Sequence, residues 1–234
     1  FGMNAAGTDA KMRNTKESIL EAQFTSGAGN WCTWMFGRDL VNWNNNFTWA
    51  KWVTPSRDLI SAFKQEGDEV RFKESIVYYD CNWSNYYPSD NYPFMYKCRS
   101  ANSSIIKYRY ADVLLLKAEA LIMQDTPDLE GAADIIDEVR DRAKLGALPT
   151  SVRSNKNAML NALLKERRLE LAFEGQRWFD LVRLDKVEEV MNAVYAKDSG
   201  RKAQIYTFDK NSYRLPIPQS VIDANDKIHQ NPGY

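Results

Sequence analysis

Three glutamates, Glu166, Glu170 and Glu174, stand four residues apart within ERRLELAFEGQRWFDLVR, residues 166–183. On a helix that spacing lines their carboxyls up on one face. Paired acids are the machinery of glycoside hydrolysis, in which one carboxyl protonates the leaving oxygen and the other attacks or activates water. A row of like charges also destabilises its own helix unless cations offset it. Arg167, Arg168 and Arg177 are placed to do so, at i,i+3 spacing or across to a neighbouring helix. The same residues therefore also read as an ion network that clamps helices together, with Gly175 permitting a close backbone approach. Because each acid has an arginine within one helical turn, the structural reading is favoured. Leu169, Phe173, Trp178 and Leu181 recur at helical spacings, so the whole segment is expected to be one helix with a buried face.

Aromatic side chains offer a different chemistry. Residues 27–54 show no sustained helical or strand period, yet they hold Trp31, Trp34, Trp43, Trp49 and Trp52 together with five asparagines. Loops are normally polar, so these rings either pack onto the body of the protein or are displayed. A displayed ring stacks on the C–H face of a sugar, and amide or guanidinium groups hydrogen-bond the hydroxyls. Residues 81–104 form a second aromatic loop around Pro88 and Pro93. Candidate ligand contacts are Trp31, Trp34, Trp43, Trp83 and Tyr86, with Arg38 and Asn44 as polar partners. The competing reading places all the loop tryptophans in the core.

Composition narrows the function classes. Basic and acidic residues number 31 each, which removes the electrostatic basis for capturing nucleic acid or an anionic membrane. No apolar run approaches the roughly 20 residues of a transmembrane helix. A single histidine, His229, and the lack of CxxC spacing argue against a His- or Cys-based metal site. No nucleophile motif or Gly-rich phosphate loop is present, so no cofactor and no catalytic residue are assigned. The asparagines at 42–46 give only slight grounds for calcium. For Cys32, Cys81 and Cys98, a Cys81–Cys98 disulfide and free buried thiols both remain open.

The elements that must position these groups can be read in order. Residues 16–24, KESILEAQF, make a short strand or helix. A helix capped by Ser56 follows, with Leu59, Ile60 and Phe63 as its apolar stripe and Gly67 as its end; residues 71–79 then alternate as a strand does. YRYADVLLLKAEALI, residues 108–122, carries the stripe Tyr110, Val113, Leu114, Ala118 and Leu121. After a turn with Pro127, residues 129–143 repeat the pattern through Ala132, Ile136, Val139 and Ala143. Two helices joined this way make one tetratricopeptide-type repeat, and such a pair needs neighbours to bury its face. The acid-bearing helix follows a turn capped at Ser154, with helical character continuing to 196. LPIPQ is extended by its prolines, and SVIDAN is a short helical turn. The resulting division is a loop-rich, ligand-binding region 1–107, a helical region 108–196 and an extended tail 197–234.

Four of these phrases, in this order, resemble the SusD/RagB family of Bacteroidetes nutrient-binding surface lipoproteins. They are KESILEAQF, LISAFKQEGDEVR at 59–71, RYADVLLLKAEAL at 109–121, and ERRLELAFEGQRWFDLVR; the closing QNPGY is similar to the family's C-terminal end. The likeness runs from about residue 16 to residue 234 and departs in the two aromatic loops, where the family itself varies. It implies a mainly α fold, a tetratricopeptide-like helical platform with long irregular loops and a few short strands. It also implies that this is the C-terminal portion of such a protein, with a secretion signal, a lipidated cysteine and further repeats upstream. The expected role is capture of an oligosaccharide and delivery to a SusC-type TonB-dependent transporter at the outer membrane. The alternatives are a RagB-like peptide-uptake protein, a glycoside hydrolase using Glu166, Glu170 or Glu174, and a scaffold without a small ligand.

Overall fold

Side-chain caps decide where the helices begin. In the computed structural model, which describes residues 14–24, 54–82, 86–97, 104–197 and 207–234, Ser56 accepts from the Leu59 amide at 3.1 Å and opens α1, Arg57–Glu66. Gly67 closes it with φ of 70°, a left-handed conformation that glycine adopts without the clash a Cβ would cause. Asp68 then accepts from the Arg71 amide at 3.1 Å and starts α2, Glu69–Ser75. The strand expected over 71–79 is therefore half helix. The Asp68 cap and the ion pairs of Arg71 hold the first part helical, and only β2, Ile76–Tyr79, is extended.

β2 pairs antiparallel with β3, Tyr92–Met95, in the register Ile76↔Met95 to Tyr79↔Tyr92. Part of the expected aromatic loop at 81–104 is thus a strand, and its Tyr92 and Phe94 are buried with Cys81 in a small apolar cluster. Cys81 is a free thiol; Cys32 and Cys98 lie outside the described residues, as does nearly all of the tryptophan-rich stretch 27–54. A second ribbon joins β1, Ser18–Ala22, antiparallel to β4, Ile105–Arg109, so the core of residues 16–24 is strand.

The rest of the fold is mainly α. α3, Tyr110–Met123, and α4, Leu129–Arg142, form the predicted helix hairpin, with Asp128 capping α4 through the Gly131 amide at 2.9 Å. A short α5, Thr150–Arg153, leads to α6, Lys156–Glu170. Its cap is Asn155, which accepts from the Ala158 amide at 2.9 Å, rather than Ser154, which ends α5. Leu115, Ala118 and Ile122 of α3 meet Ala132, Ala133, Ile136 and Val139 of α4 and Met159 and Leu163 of α6 in one core.

Two expectations need correction. The buried face of α3 is Ala111, Asp112, Leu115, Ala118 and Ile122, while Tyr110 and Val113 are 49% and 42% exposed. This helix is apolar nearly all round, so periodicity cannot fix its phase. The pairing of Asp112 with the buried Arg167 at 2.9 Å turns that face inward. Residues 166–183, for their part, are not one helix. α6 ends at Glu170, Phe173 and Gly175 have φ of 65° and 80°, and α7 spans Arg177–Arg183. Left-handed residues cannot continue a right-handed helix. An added Cβ at Gly175 would meet nothing within 4 Å, so its use there is the positive φ and not a close approach.

The described residues belong to two units, Phe1–Gly175 and Gln176–Tyr234. Within the second, α7 is followed by α8, Val187–Lys197, a 3-10 turn at Lys210–Tyr213 and α9, Gln219–Ala224. The Asn192 side chain both donates to the Phe208 carbonyl and accepts from its amide, each at 2.9 Å. The Phe208 ring lies 6.4 Å from Trp178 and 5.5 Å from Tyr195. Gln230 bridges the amide and carbonyl of Ile217 and fixes the extended tail.

Ile136 is fully buried at the hairpin's centre. Ile136→Ala should lower unfolding stability by about 3 kcal/mol, read from urea titrations followed by circular dichroism; a loss under about 1 kcal/mol would mean that this core is not close-packed.

Candidate functional site

Of the seven ligand contacts expected from the sequence, Trp31, Trp34, Arg38, Trp43, Asn44 and Trp83 lie outside the described residues. Tyr86 is described, and it does not stand alone. Its ring packs edge-on against Tyr87, with centroids 4.9 Å apart and planes at 89°. Tyr87 in turn meets buried Tyr92 at 5.5 Å and donates through its hydroxyl to the Pro55 carbonyl at 2.8 Å. The Arg57 guanidinium lies 4.0 Å from the centre of the Tyr86 ring and 4.8 Å from that of Tyr87, and it donates to the Tyr86 carbonyl. At a partly exposed position each such cation–π contact contributes about 0.5–1 kcal/mol. Half-buried on one side and tethered on the other, the two tyrosines are held as a fixed platform.

Next to this platform is a groove of about 450 Å³, lined by Arg57, Ser61, Lys64, Gln65, Tyr78 and Tyr87, among others. Arg57, Ser61 and Lys64 sit at i, i+4 and i+7 on α1, so one helix face supplies them. Burial raises the Tyr78 pKa above its ordinary value. Aromatic surface with a few fixed polar groups is the arrangement that small polar ligands use. Sequence reading missed Arg57, Ser61 and Lys64, and it held Tyr87 only as part of the second aromatic loop. The polar face of α1 was the available signal, but nothing in the sequence pairs it with a loop thirty residues downstream.

The glutamate row performs a different task. Arg109, 3% exposed, spends all five guanidinium N–H groups on protein. Nε and Nη2 grip the Glu174 carboxylate at 2.6 and 2.9 Å, Nη1 reaches Glu170 at 2.7 Å and Glu17 at 2.9 Å, and Nη2 also meets the Glu170 carbonyl at 2.9 Å. Lys97 donates to that same carbonyl at 2.7 Å and pairs with Glu174. Arg71 bridges Glu166 at 2.6 Å and Glu170 at 3.1 Å, while Arg142 also donates to Glu170. The expected partners go elsewhere: Arg167 holds Asp112 and Arg168 holds Asp58, while Arg177 falls in the second unit. Beside this network lies a cavity of about 320 Å³ whose walls include Glu17, Glu21, Arg71, Lys97 and Arg142.

The electrostatics follow from the partners. Burial alone would raise Glu170, but Arg109 and Arg142 overcome it and hold the carboxyl far below its ordinary range. Burial is likewise outweighed at Glu174, by Lys97 and Arg109, and at Glu66, by Lys165 and Arg140; both are lowered. At Glu166 burial prevails over the Arg71 and Arg140 charges, and its pKa is raised. A raised carboxyl suits a general acid, yet Glu166 is only 1% exposed and is bonded to Arg71 and Arg140. It lines neither the groove beside the tyrosines nor the cavity beside the ion network. Among the described residues no group of three or more His, Cys, Asp or Glu could hold a metal ion, and no helix is long and apolar enough to cross a membrane; the asparagines at 42–46 lie outside them.

A family profile described as the SusD family matches residues 87–234, more than half of the chain. The chain belongs to the SusD family. It is 42% identical over 99 residues to one SusD-like protein of Formosa agariphila and 35% identical over 143 residues to another. Those matches cover 40% and 58% of this chain but only 19% and 27% of the two relatives. Among solved structures, a laminarin-binding SusD-like protein is 25% identical with a TM-score of 0.62, over 93% of this chain and 50% of that one. The surface glycan-binding protein A of Bacteroides thetaiotaomicron, solved with laminarihexaose, shares the fold at 20% identity and a TM-score of 0.66, over 92% of this chain and 52% of that one. This SusD-family chain therefore spans about half the length of the solved relatives it matches, and the ion-laced helix and the helix hairpin both fall inside the profile match.

In the unfolded chain these carboxyls titrate near about 4.3. Glu66, Glu170 and Glu174 titrate lower when folded, so the stability they contribute is present at neutral pH and is lost as pH falls below about 4–5. Glu166 has the opposite sign: its raised folded value costs stability once pH exceeds its ordinary value. With three lowered groups against one raised, stability should fall as pH drops below about 4–5, and Glu170→Gln should flatten that slope in denaturant titrations. Arg109→Ala takes from Glu170 and Glu174 a buried cation that they share and should cost about 3–5 kcal/mol at neutral pH; a cost below about 1 kcal/mol would show that the network does not hold this fold.

Proposed function

We propose that this chain is the C-terminal part of a surface-exposed lipoprotein that binds an oligosaccharide and passes it to a SusC-type TonB-dependent transporter in the outer membrane. Membership of the SusD family supports this reading, as does the fold shared with a laminarin-binding protein. The observation on this chain that carries it is the Arg57–Tyr86–Tyr87 platform beside an open groove. Sugar rings stack on such a platform, and Ser61, Gln65 and Asn91 supply hydroxyl-binding groups nearby. The helix hairpin and α6 form the rigid support, which in the complete protein would face the transporter. Binding without hydrolysis is favoured because Glu166, Glu170 and Glu174 are all engaged with buried cations.

Isothermal titration with laminarihexaose and a panel of other oligosaccharides tests the assignment. For any ligand that binds, Tyr86→Ala should weaken affinity about tenfold, the loss of roughly 1.4 kcal/mol of stacking and ordering. Unchanged affinity would remove Tyr86 from the site. Incubation of the same oligosaccharides should release no reducing ends; release abolished by Glu166→Gln in a folded protein would restore the hydrolase reading.

A further inference from the structure

The charge of the groove carries the reading a step further. Its described lining residues are Arg57, Lys64, three neutral polar side chains, Ile60, two tyrosines and a proline, so they bring two cations and no carboxylate. The acids near α1 are spent elsewhere: Asp58 holds Arg168, and Glu66 takes both Arg140 and Lys165. Lys73, Lys165 and Lys186 are each paired with a glutamate. Lys64 enters none of the ion pairs among the described residues, and its side chain is exposed at the groove.

Arg57 adds a fixed charge to this mobile one. Two tyrosine rings and the Tyr86 carbonyl hold its guanidinium in place, and a guanidinium so fixed loses little freedom when it meets a planar anion. Lys64 lies two helical turns along the same face of α1, so a ligand along the groove passes both cations. Neutral sugar hydroxyls need neither of them. A carboxylate or sulfate does, because charge-assisted hydrogen bonds are about twice as strong as neutral ones.

We infer that the groove along α1 selects anionic sugars, with Lys64 and Arg57 reading a carboxylate or sulfate on a ring bound beside Tyr86 and Tyr87. This rests on the glycan-binding reading and deepens it, since the shared fold of a laminarin-binding protein by itself suggests a neutral glucan.

The test compares tetragalacturonate with its methyl ester, which keeps the rings and linkages but removes the charges, alongside a sulfated galacto-oligosaccharide, its desulfated form and laminarihexaose. By titration calorimetry, tetragalacturonate should bind roughly tenfold more tightly than the ester at low salt, and the gap should narrow as salt screens the exposed charges. Lys64→Gln, a surface change whose folding is checked by its melting temperature, should cut the ratio to about threefold or less. A preference for the sulfated over the desulfated oligosaccharide, again narrowed by Lys64→Gln, supports the inference with sulfate as the group read. Equal affinity for every charged and uncharged pair overturns it, as does a ratio that Lys64→Gln leaves intact. If only laminarihexaose binds, the inference falls while the glycan-binding reading stands; if no saccharide binds, both fall.

Discussion

A charge taken out of water costs several kcal/mol unless partners meet it inside the protein. α6 and the turn after it bring Glu166, Glu170 and Glu174 into the interior, with side chains 2%, 4% and 6% exposed. Their partners come from Arg71 on α2, Lys97 after β3, Arg109 on β4, and Arg140 and Arg142 on α4. Separating any of these elements from α6 and its following turn takes away part of the charge that compensates the glutamates. The network thus ties together helices and strands far apart in sequence, because each glutamate is met by cations from more than one of them. Geometry adds to this, since the bidentate grip of Arg109 on Glu174 tolerates little rotation.

Apolar packing builds outward from the same helix. Met159 and Leu163 of α6 close the core of the helix hairpin, while Leu169 and Ala172 pack against Ile60, Phe63 and Ile76. α6 therefore joins two hydrophobic clusters, with Glu166 lying between them along its length. The small residues Ala118, Ala132 and Ala133, all fully buried, let α3 and α4 approach closely, which is the packing that gives the hairpin its repeat-like form.

The proposed binding face depends on this frame at one remove. Ile60 and Phe63 fasten α1 to α6, and that leaves Arg57, Ser61 and Lys64 on a face whose direction is fixed. Tyr87 is anchored by the Pro55 carbonyl and by Tyr92, so the aromatic platform inherits the rigidity of β3 and of the start of α1. A ligand that meets side chains already in place loses less to ordering them. The ion network and the aromatic platform thus divide the work, one holding the scaffold and the other presenting chemistry to solvent.

Much of this was legible in the sequence, and the boundary is physical. Local rules set the Ser56 cap, the Gly67 stop, the helix hairpin and its alanine-lined α4 face, because caps, left-handed glycines and 3.6-residue periodicity act within one or two turns. The four family phrases fixed the fold for the same reason that they are recognisable, being the segments where packing and charge both constrain the residue. Tertiary structure alone decided what depends on partners distant in the chain. The phase of α3 follows from Asp112 meeting Arg167, fifty-five residues away, on a helix too uniformly apolar to choose a face. Arg71 is helical and not extended because Glu166 and Glu170 wait for it across the fold. Glu170 and Glu174 became structural anchors instead of acids because Arg109 and Lys97, not the neighbouring arginines of their own segment, reach them. Arg57 joined the aromatic site only when α1 and the turn at Tyr86 came together, a pairing that no spacing along the chain encodes.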